Sequence, residues 1–364
     1  MMRQLPLVLT LLALTTACTE EVGLIDEDSN FGGRGGGRNS ALDPVMDIVD
    51  LTPPPANPLR NAYFGDLHVH TEYSFDAYNF GTTATPYDAY RFAQGASIEH
   101  PGGYQIQIAT PLDFYAVTDH AMFLGLALEA GDTTTPFSQY PVSQNLHNLN
   151  ADDNKGVWSL LSRITNFASF IPDVLAGILA GEISEEMATG VTRRAWADII
   201  NAAEQYNAPG HFTTFVAYEY TSSTDDVGNL HRNVIFRTHS VPNLPVSYID
   251  APIDSKLWSE LDKSCRVEDG CDYLTIPHNT NLANGRMAPY MQLEDSLDAK
   301  RGYAELRMKR EPIMEIFQHK GGSECINGLS TVFGAPDELC NVEAVRQLGE
   351  TKLYLKPDDS APGQ

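Results

Sequence analysis

Basic side chains are scarce: lysine and arginine number 24 against 48 aspartates and glutamates, a formal net charge of −24. That balance disfavours a nucleic-acid backbone as the main partner, because like charges repel at long range. A local metal-bearing pocket still suits a small phosphate. Beyond the N-terminus no run is long and charge-free enough to span a membrane. The best stretch, Val157–Ala180, carries Arg163, Pro172 and Asp173 and reads as buried or cap helices. There is no GxSxG nucleophile elbow and no P-loop. The Gly-rich stretch GGRGGGR does not sit between a strand and a helix. No CxxC spacing supports a zinc site built from cysteines, and no internal repeat is visible. What is present is an ordinary globular mixture, 42% hydrophobic and 20% charged, which excludes a chain disordered throughout. The length allows one large domain or two small ones.

The N-terminus has the grammar of an export signal. Arg3 supplies the positive start, Leu5–Leu14 an apolar run too short for a membrane span, and Thr15–Cys18 small residues before a cysteine. This resembles a bacterial lipoprotein signal, with Cys18 as the lipidated first residue and the mature protein anchored rather than spanning. An ordinary cleaved signal is the alternative. Residues 19–59 are successively acidic, Gly-rich and Pro-rich, and read as a disordered linker. The folded domain is expected over residues 60–364. Cys265, Cys271, Cys325 and Cys340 remain, an even count that suggests disulfides in an exported chain. Four cysteines allow three pairings. The local one, Cys265–Cys271 with Cys325–Cys340, is the simplest.

The folded part alternates strand and helix patterns, which predicts an α/β fold with a largely parallel sheet. Strands are expected over 62–69, 112–120, 212–220, 233–237, 273–278 and 312–318. A helix should start at Pro86 behind the N-cap Thr85, and another should run over 192–207, with Trp196, Ile199, Ile200 and Ala203 at helical spacing. Residues from about 122 to 190 break the alternation and read as a mostly helical insertion.

Chemistry-bearing residues gather at strand boundaries. His68 and His70, two apart on a strand, project from one face and can share a metal ion, with Asp66 on the same face. Asp119 and His120 follow an apolar strand, a position that marks the active face of α/β barrels. Glu219 ends another strand, His231, Arg232 and Asn233 begin one, and His278 ends one. Each histidine alone is more often structural than a ligand. Five of the ten histidines in this one setting, beside three carboxylates, make a metal centre the stronger reading.

The segments GDLHVHTEYSFDA, DFYAVTDHA, FVAYEYTSS, NLHRNVIFR, IPHNTNLANG and EIFQHKGGSE resemble the polymerase-and-histidinol-phosphatase (PHP) superfamily, and most closely its exported bacterial branch, domain-of-unknown-function family 3604. The resemblance runs from about Arg60 to Cys340. It implies a distorted (β/α)7 barrel with up to three metal ions at the C-terminal ends of the strands. His68 and His70 match ligands of the first metal, and Glu219 the carboxylate bridging to the second. His231 and His278 match the second metal's histidines, and Asp76 and His120 ligands of the third. A carboxylate at position 76, where many relatives carry histidine, shifts preference toward harder ions such as manganese or iron; zinc is the third candidate. Relatives also carry a late DxH motif, and none follows here. The resemblance thus leads one to expect either a fragment or a naturally shortened protein, without the last barrel strands, in which the second site is complete and the first and third are each short of one ligand.

The implied activity is metal-dependent hydrolysis, foremost of a small phosphoester, by a metal-activated water. Arg232 and Asp119 are the candidate catalytic side chains. Arg232 would grip a non-bridging oxygen, with Lys320 as a weaker second, against the plainer reading of an ordinary surface ion pair. Asn279, Asn281, Asn284 and Gly285 form a polar loop that would shape the pocket or simply turn the chain. Glu315 reads as a carboxylate behind a ligand. Hydrolysis of an amide or ester, and a non-catalytic metal-binding surface lipoprotein, are the competing functions.

Overall fold

The computed structural model describes residues 60–151, 154, 160–223, 229–278, 287 and 296–315. The signal, Cys18, the linker, Asn279, Asn281, Asn284, Gly285, His319, Lys320, Cys325 and Cys340 lie outside the described residues.

The fold is mixed α/β. Strand β1 (Gly65–Asp66) leads into α1 (Phe75–Phe80) and α2 (Pro86–Ala93). A hairpin of β2 (Ile98–His100) and β3 (Tyr104–Ile106) precedes β4 (Phe114–Tyr115). Helices α3 (Leu126–Gly131), α4 (Leu160–Leu179) and α5 (Glu185–Tyr206) follow, the first two separated by short 3-10 turns. Strands β5 (Thr213–Thr214), β6 (Ala217–Ser223) and β7 (Asn229–Phe236), helix α6 (Asp254–Ser264), strand β8 (Tyr273–His278) and helix α7 (Leu297–Arg310) complete it.

The expected helices form for the expected reasons. At α2 the Thr85 side chain accepts from Asp88 N while Asp88 closes back on the Thr85 amide, a full capping box with Pro86 in the first turn. Such a cap contributes about 1 kcal/mol. Helix α5 starts earlier than its apolar stripe suggests, capped by Ser184, and buries Ala195, Trp196, Ile199 and Ala203. Among the described residues no helix is long and apolar enough to cross a membrane. In α4, Arg163 is buried and donates to the carbonyls of Asn79 and Leu149 and to Asn150 Oδ1, so the charge that argues against a span ties the helix to α1.

The sheet departs from the expected parallel one. β1, β4 and β5 are parallel, in the order β1-β4-β5, but β6, β7 and β8 are antiparallel. The cause is the connection of five residues between β6 and β7, far too short for the crossover a parallel pair needs. A single parallel bridge, His120↔Glu219, links the run after β4 to β6. The first strand is also shorter than expected. Past Asp66 it is held by Val69, whose carbonyl accepts from Thr118 N and whose amide donates to Thr118 Oγ1, a hydroxyl in place of a ladder partner. The described residues form no closed barrel. They do curl: Asn233 Nδ2 on β7 donates to Leu67 O at 2.9 Å. The β2–β3 hairpin was not expected, although Pro101-Gly102-Gly103 is a turn signal and Gly103 has φ +82°. Residues 312–315 form no regular strand, and the rest of the expected 312–318 strand lies outside the described residues.

Strand alternation divides the core into two faces. On the outer face Tyr218, Tyr220, Val234, Phe236 and Tyr273 pack with Trp196 and Trp258 from the helices. On the inner face Ala116, Ala217, Ile235 and Ile276 form a small apolar layer. A separate cluster joins α1, α3 and α4 through Phe75, Leu126, Phe170 and Val174. The disulfide Cys265–Cys271 ties the end of α6 to the approach to β8. Cys325 and Cys340 lie outside the described residues.

Candidate metal centre

The inner apolar layer ends in a ring of imidazoles. Two residues beyond Ala217, Ile276 and Asn233 along their strands stand Glu219, His278 and His231, so period-two alternation puts all three on the inner face. The ladder places His231 directly opposite both Thr221 and His278. His68 and His70 arrive from the run after β1, and His120 from the run after β4.

Asp76 reaches the centre by a tight turn. Asp119 is fully buried and accepts from the amide and hydroxyl of Thr71, which fixes the chain just past His70. Ser74 N then bonds Thr71 O, and α1 begins, carrying Asp76 in its first turn over His70. Both Asp76 oxygens lie 3.1 Å from His70 Nδ1.

Glu219 is the hub. Its Oε2 lies 2.7 Å from His70 Nε2 and 3.3 Å from His68 Nε2. Its Oε1 lies 3.1 Å from His278 Nε2, 3.4 Å from His120 Nδ1, and closer still to His231 Nδ1. His120 Nε2 is 3.5 Å from Asp76 Oδ2, and its Nδ1 meets the Thr221 hydroxyl. The rings of His68 and His278 stand 4.1 Å apart between centroids.

Three sets have their ligand atoms within 4.8 Å of one another: His68, Glu219 and His278; His70, Asp76 and His120; and His120, Glu219 and His231. All seven metal-ligand candidates therefore meet in one place. The grouping differs from the one the resemblance implies, since His68 goes with His278 and His70 with Asp76.

The electrostatics suit a cation. Burial raises the Glu219 carboxyl, but the surrounding histidines outweigh it and hold the group well below the usual range; Asp76 is likewise depressed, by His70 and His120. Burial lowers His68, yet hydrogen bonds to Glu219 and Glu315 carry it up to about 9. Asp76 and Glu219 overcome burial at His70 and hold it well above its ordinary value. Burial dominates at His231, which falls to about 4, and at His278, which is also lowered. Those two rings are neutral at pH 7, the form that ligates. Glu219 Oε1 and both ring nitrogens of His278 are buried, and close as Oε1 comes to the rings, none of these atoms makes a well-directed hydrogen bond. Orphaned donors and acceptors around a buried carboxylate are costly, and a bound cation relieves them. Nitrogen and carboxylate oxygen in this mixture are the donor set of zinc, manganese and iron sites.

The two candidate catalytic residues lie elsewhere. Arg232, one residue past His231, points to the outer face. It is fully buried and pairs with Glu311 and, at 3.0 Å, with Asp254. It cannot grip a substrate held at the centre, and the ion pair is buried rather than superficial. Asp119 holds the Thr71 turn and does not face the cluster; burial pushes its carboxyl up to about 6. Asp66 accepts from His68 N at 2.9 Å and belongs to none of the three sets. Thr221, Ser74 and Thr71 went unread in the sequence. Thr221 carried a signal, two residues past Glu219 on one face.

Fold and site together define a mixed α/β protein with a buried histidine–carboxylate centre able to hold metal. Residues 57–360 match the family described as "Protein of unknown function (DUF3604)", and the chain belongs to that family. No curated protein and no solved structure is significantly similar to it.

Proposed function

We propose that this protein is an exported metal-dependent hydrolase of the PHP type that cleaves small phosphoesters. The observation that carries the reading is the convergence of five imidazoles on the single carboxylate of Glu219, with Asp76 set against two of them, His70 and His120. The curled sheet, with its ligands at one end, is what part of a PHP-like barrel would look like.

The three sets would hold up to three divalent ions, with Glu219 and His120 shared between sets. When bound, such ions lower the pKa of a coordinated water toward neutrality and offset charge on the ester oxygens. The chain's own residues hold the arrangement still. Thr71 and Asp119 fix the turn between His70 and Asp76, and Thr221 fixes His120. Glu219, His120 and His278 are buried away from bulk water, which strengthens the charge interactions they make. Among the described residues no cation other than histidine enters the centre, so charge on the substrate would be met by the ions.

The test is turnover of bis(p-nitrophenyl) phosphate and p-nitrophenyl phosphate by chelator-stripped protein reloaded with manganese, zinc or iron(II). Metal-dependent hydrolysis lost in Glu219→Ala is expected. A metal-loaded protein that turns over neither ester would overturn the phosphoesterase reading.

Export and lipidation at Cys18 belong to the same proposal and place the protein in the periplasm or on the outer membrane of a bacterium. Support comes from the N-terminal signal grammar and from the Cys265–Cys271 disulfide, a bond typical of oxidising compartments. Incorporation of labelled palmitate, abolished in Cys18→Ala, is the expected result; an unlabelled wild-type protein would contradict lipidation.

A further inference from the structure

His68 lies outside the paired residues of β1. β1 ends at Asp66, two residues before it, and is an edge strand paired on one side only. Something other than the ladder must fix the ring. The segment Glu311–Glu315 reaches it from the opposite end of the sheet. Glu315 N bonds Pro277 O at 3.1 Å, beside the ligand His278. Its Oε2 then meets His68 Nδ1 at 2.9 Å, leaving Nε2 turned toward Glu219. The other Glu315 oxygen is buried without a hydrogen-bond partner, so the His68 bond is the one hydrogen bond this side chain makes among the described residues.

The start of the segment is pinned on the outer face. Glu311 pairs with Arg232 and with Arg307, both of which also reach Asp254. Arg232, rather than touching substrate, thus anchors the segment that delivers Glu315.

We infer that Glu315 is the positioning residue of His68, holding its Nδ1–H so that Nε2 is presented as a metal ligand. The inference rests on the metal reading above. It makes the His68–Glu219–His278 set dependent on a segment remote from it in sequence. A carboxylate behind a ligating histidine fixes tautomer and ring orientation, and its loss typically weakens metal affinity about 10- to 100-fold.

The experiment is calorimetric titration of zinc into the chelator-stripped full chain, wild type beside Glu315→Ala and Glu315→Gln. Ala should weaken one class of site about 10- to 100-fold while the others keep their affinity. Gln, whose carbonyl can accept the same bond, should restore most of it. In the zinc-loaded wild type, nitrogen-15 spectra should show a protected His68 Nδ1–H that Glu315→Ala loses. Should Ala unfold the protein, Glu315→Met keeps the side-chain length without an acceptor and carries the same expectation. A wild type that loads zinc beside an Ala variant of equal affinity at every site overturns this inference alone. A wild type that takes up no zinc overturns the metal reading and this inference with it.

Discussion

His120 and Glu219 face each other across an isolated parallel bridge, and their side chains meet at 3.4 Å between Nδ1 and Oε1. The bridge joins the parallel and antiparallel parts of the sheet, so the point where the two meet is also the centre of the ligand cluster. The backbone makes the contact reciprocal: Glu219 N donates to Asp119 O and Ala121 N to Glu219 O, both at 2.9 Å.

Metal uptake should depend on pH through His68. Its proton is held up to about 9 by Glu219 and Glu315. The raised value means that the contacts of protonated His68 stabilise the metal-free fold fully below about 6.5, the ordinary histidine pKa, and are lost as pH rises through about 9. A cation must displace that proton. Affinity is therefore expected to rise as pH climbs toward about 9 and to level off above it, with proton release on binding below that value. Titration in buffers of different ionisation enthalpy measures that release. Affinity flat across the window would contradict the assignment of His68.

Arg232 is expected to matter for stability. Removing one partner of a buried ion pair leaves an uncompensated charge and costs about 3–5 kcal/mol. Arg232→Ala should lower the urea midpoint accordingly. Unchanged stability with a raised KM would restore the role in gripping substrate that the structure denies it.

The reason that role looked plausible in the sequence is instructive. Arg232 adjoins a candidate ligand, but strand alternation sends neighbours to opposite faces. The same alternation made much of the centre legible, since His68 and His70 are two apart and Glu219, His231 and His278 sit where apolar runs meet polar ones. What stayed hidden depended on tertiary pairing. The antiparallel half of the sheet follows from a short connection the strand patterns do not weigh, and the partnership of His68 with His278 follows from the curl. Helices were the easier part, because Thr85, Pro86 and the Trp196 stripe act locally.

Cys265 and Cys271 should resist alkylation in the absence of reductant. Replacing both with serine should cost about 2 kcal/mol, the small value expected for so short a loop. Thermal or urea unfolding of the double variant measures it. Free labelling of both thiols in the native protein would contradict the bridge.

The central claim is that the cluster around Glu219 is a metal centre. The most direct test is metal content by inductively coupled plasma mass spectrometry on protein purified without chelator, wild type beside Glu219→Ala. The account predicts about two or three equivalents of manganese, iron or zinc in the wild type, since each site needs three or four donors, and a clear fall in the variant. A wild type carrying no metal, or a variant carrying as much as the wild type, would contradict it.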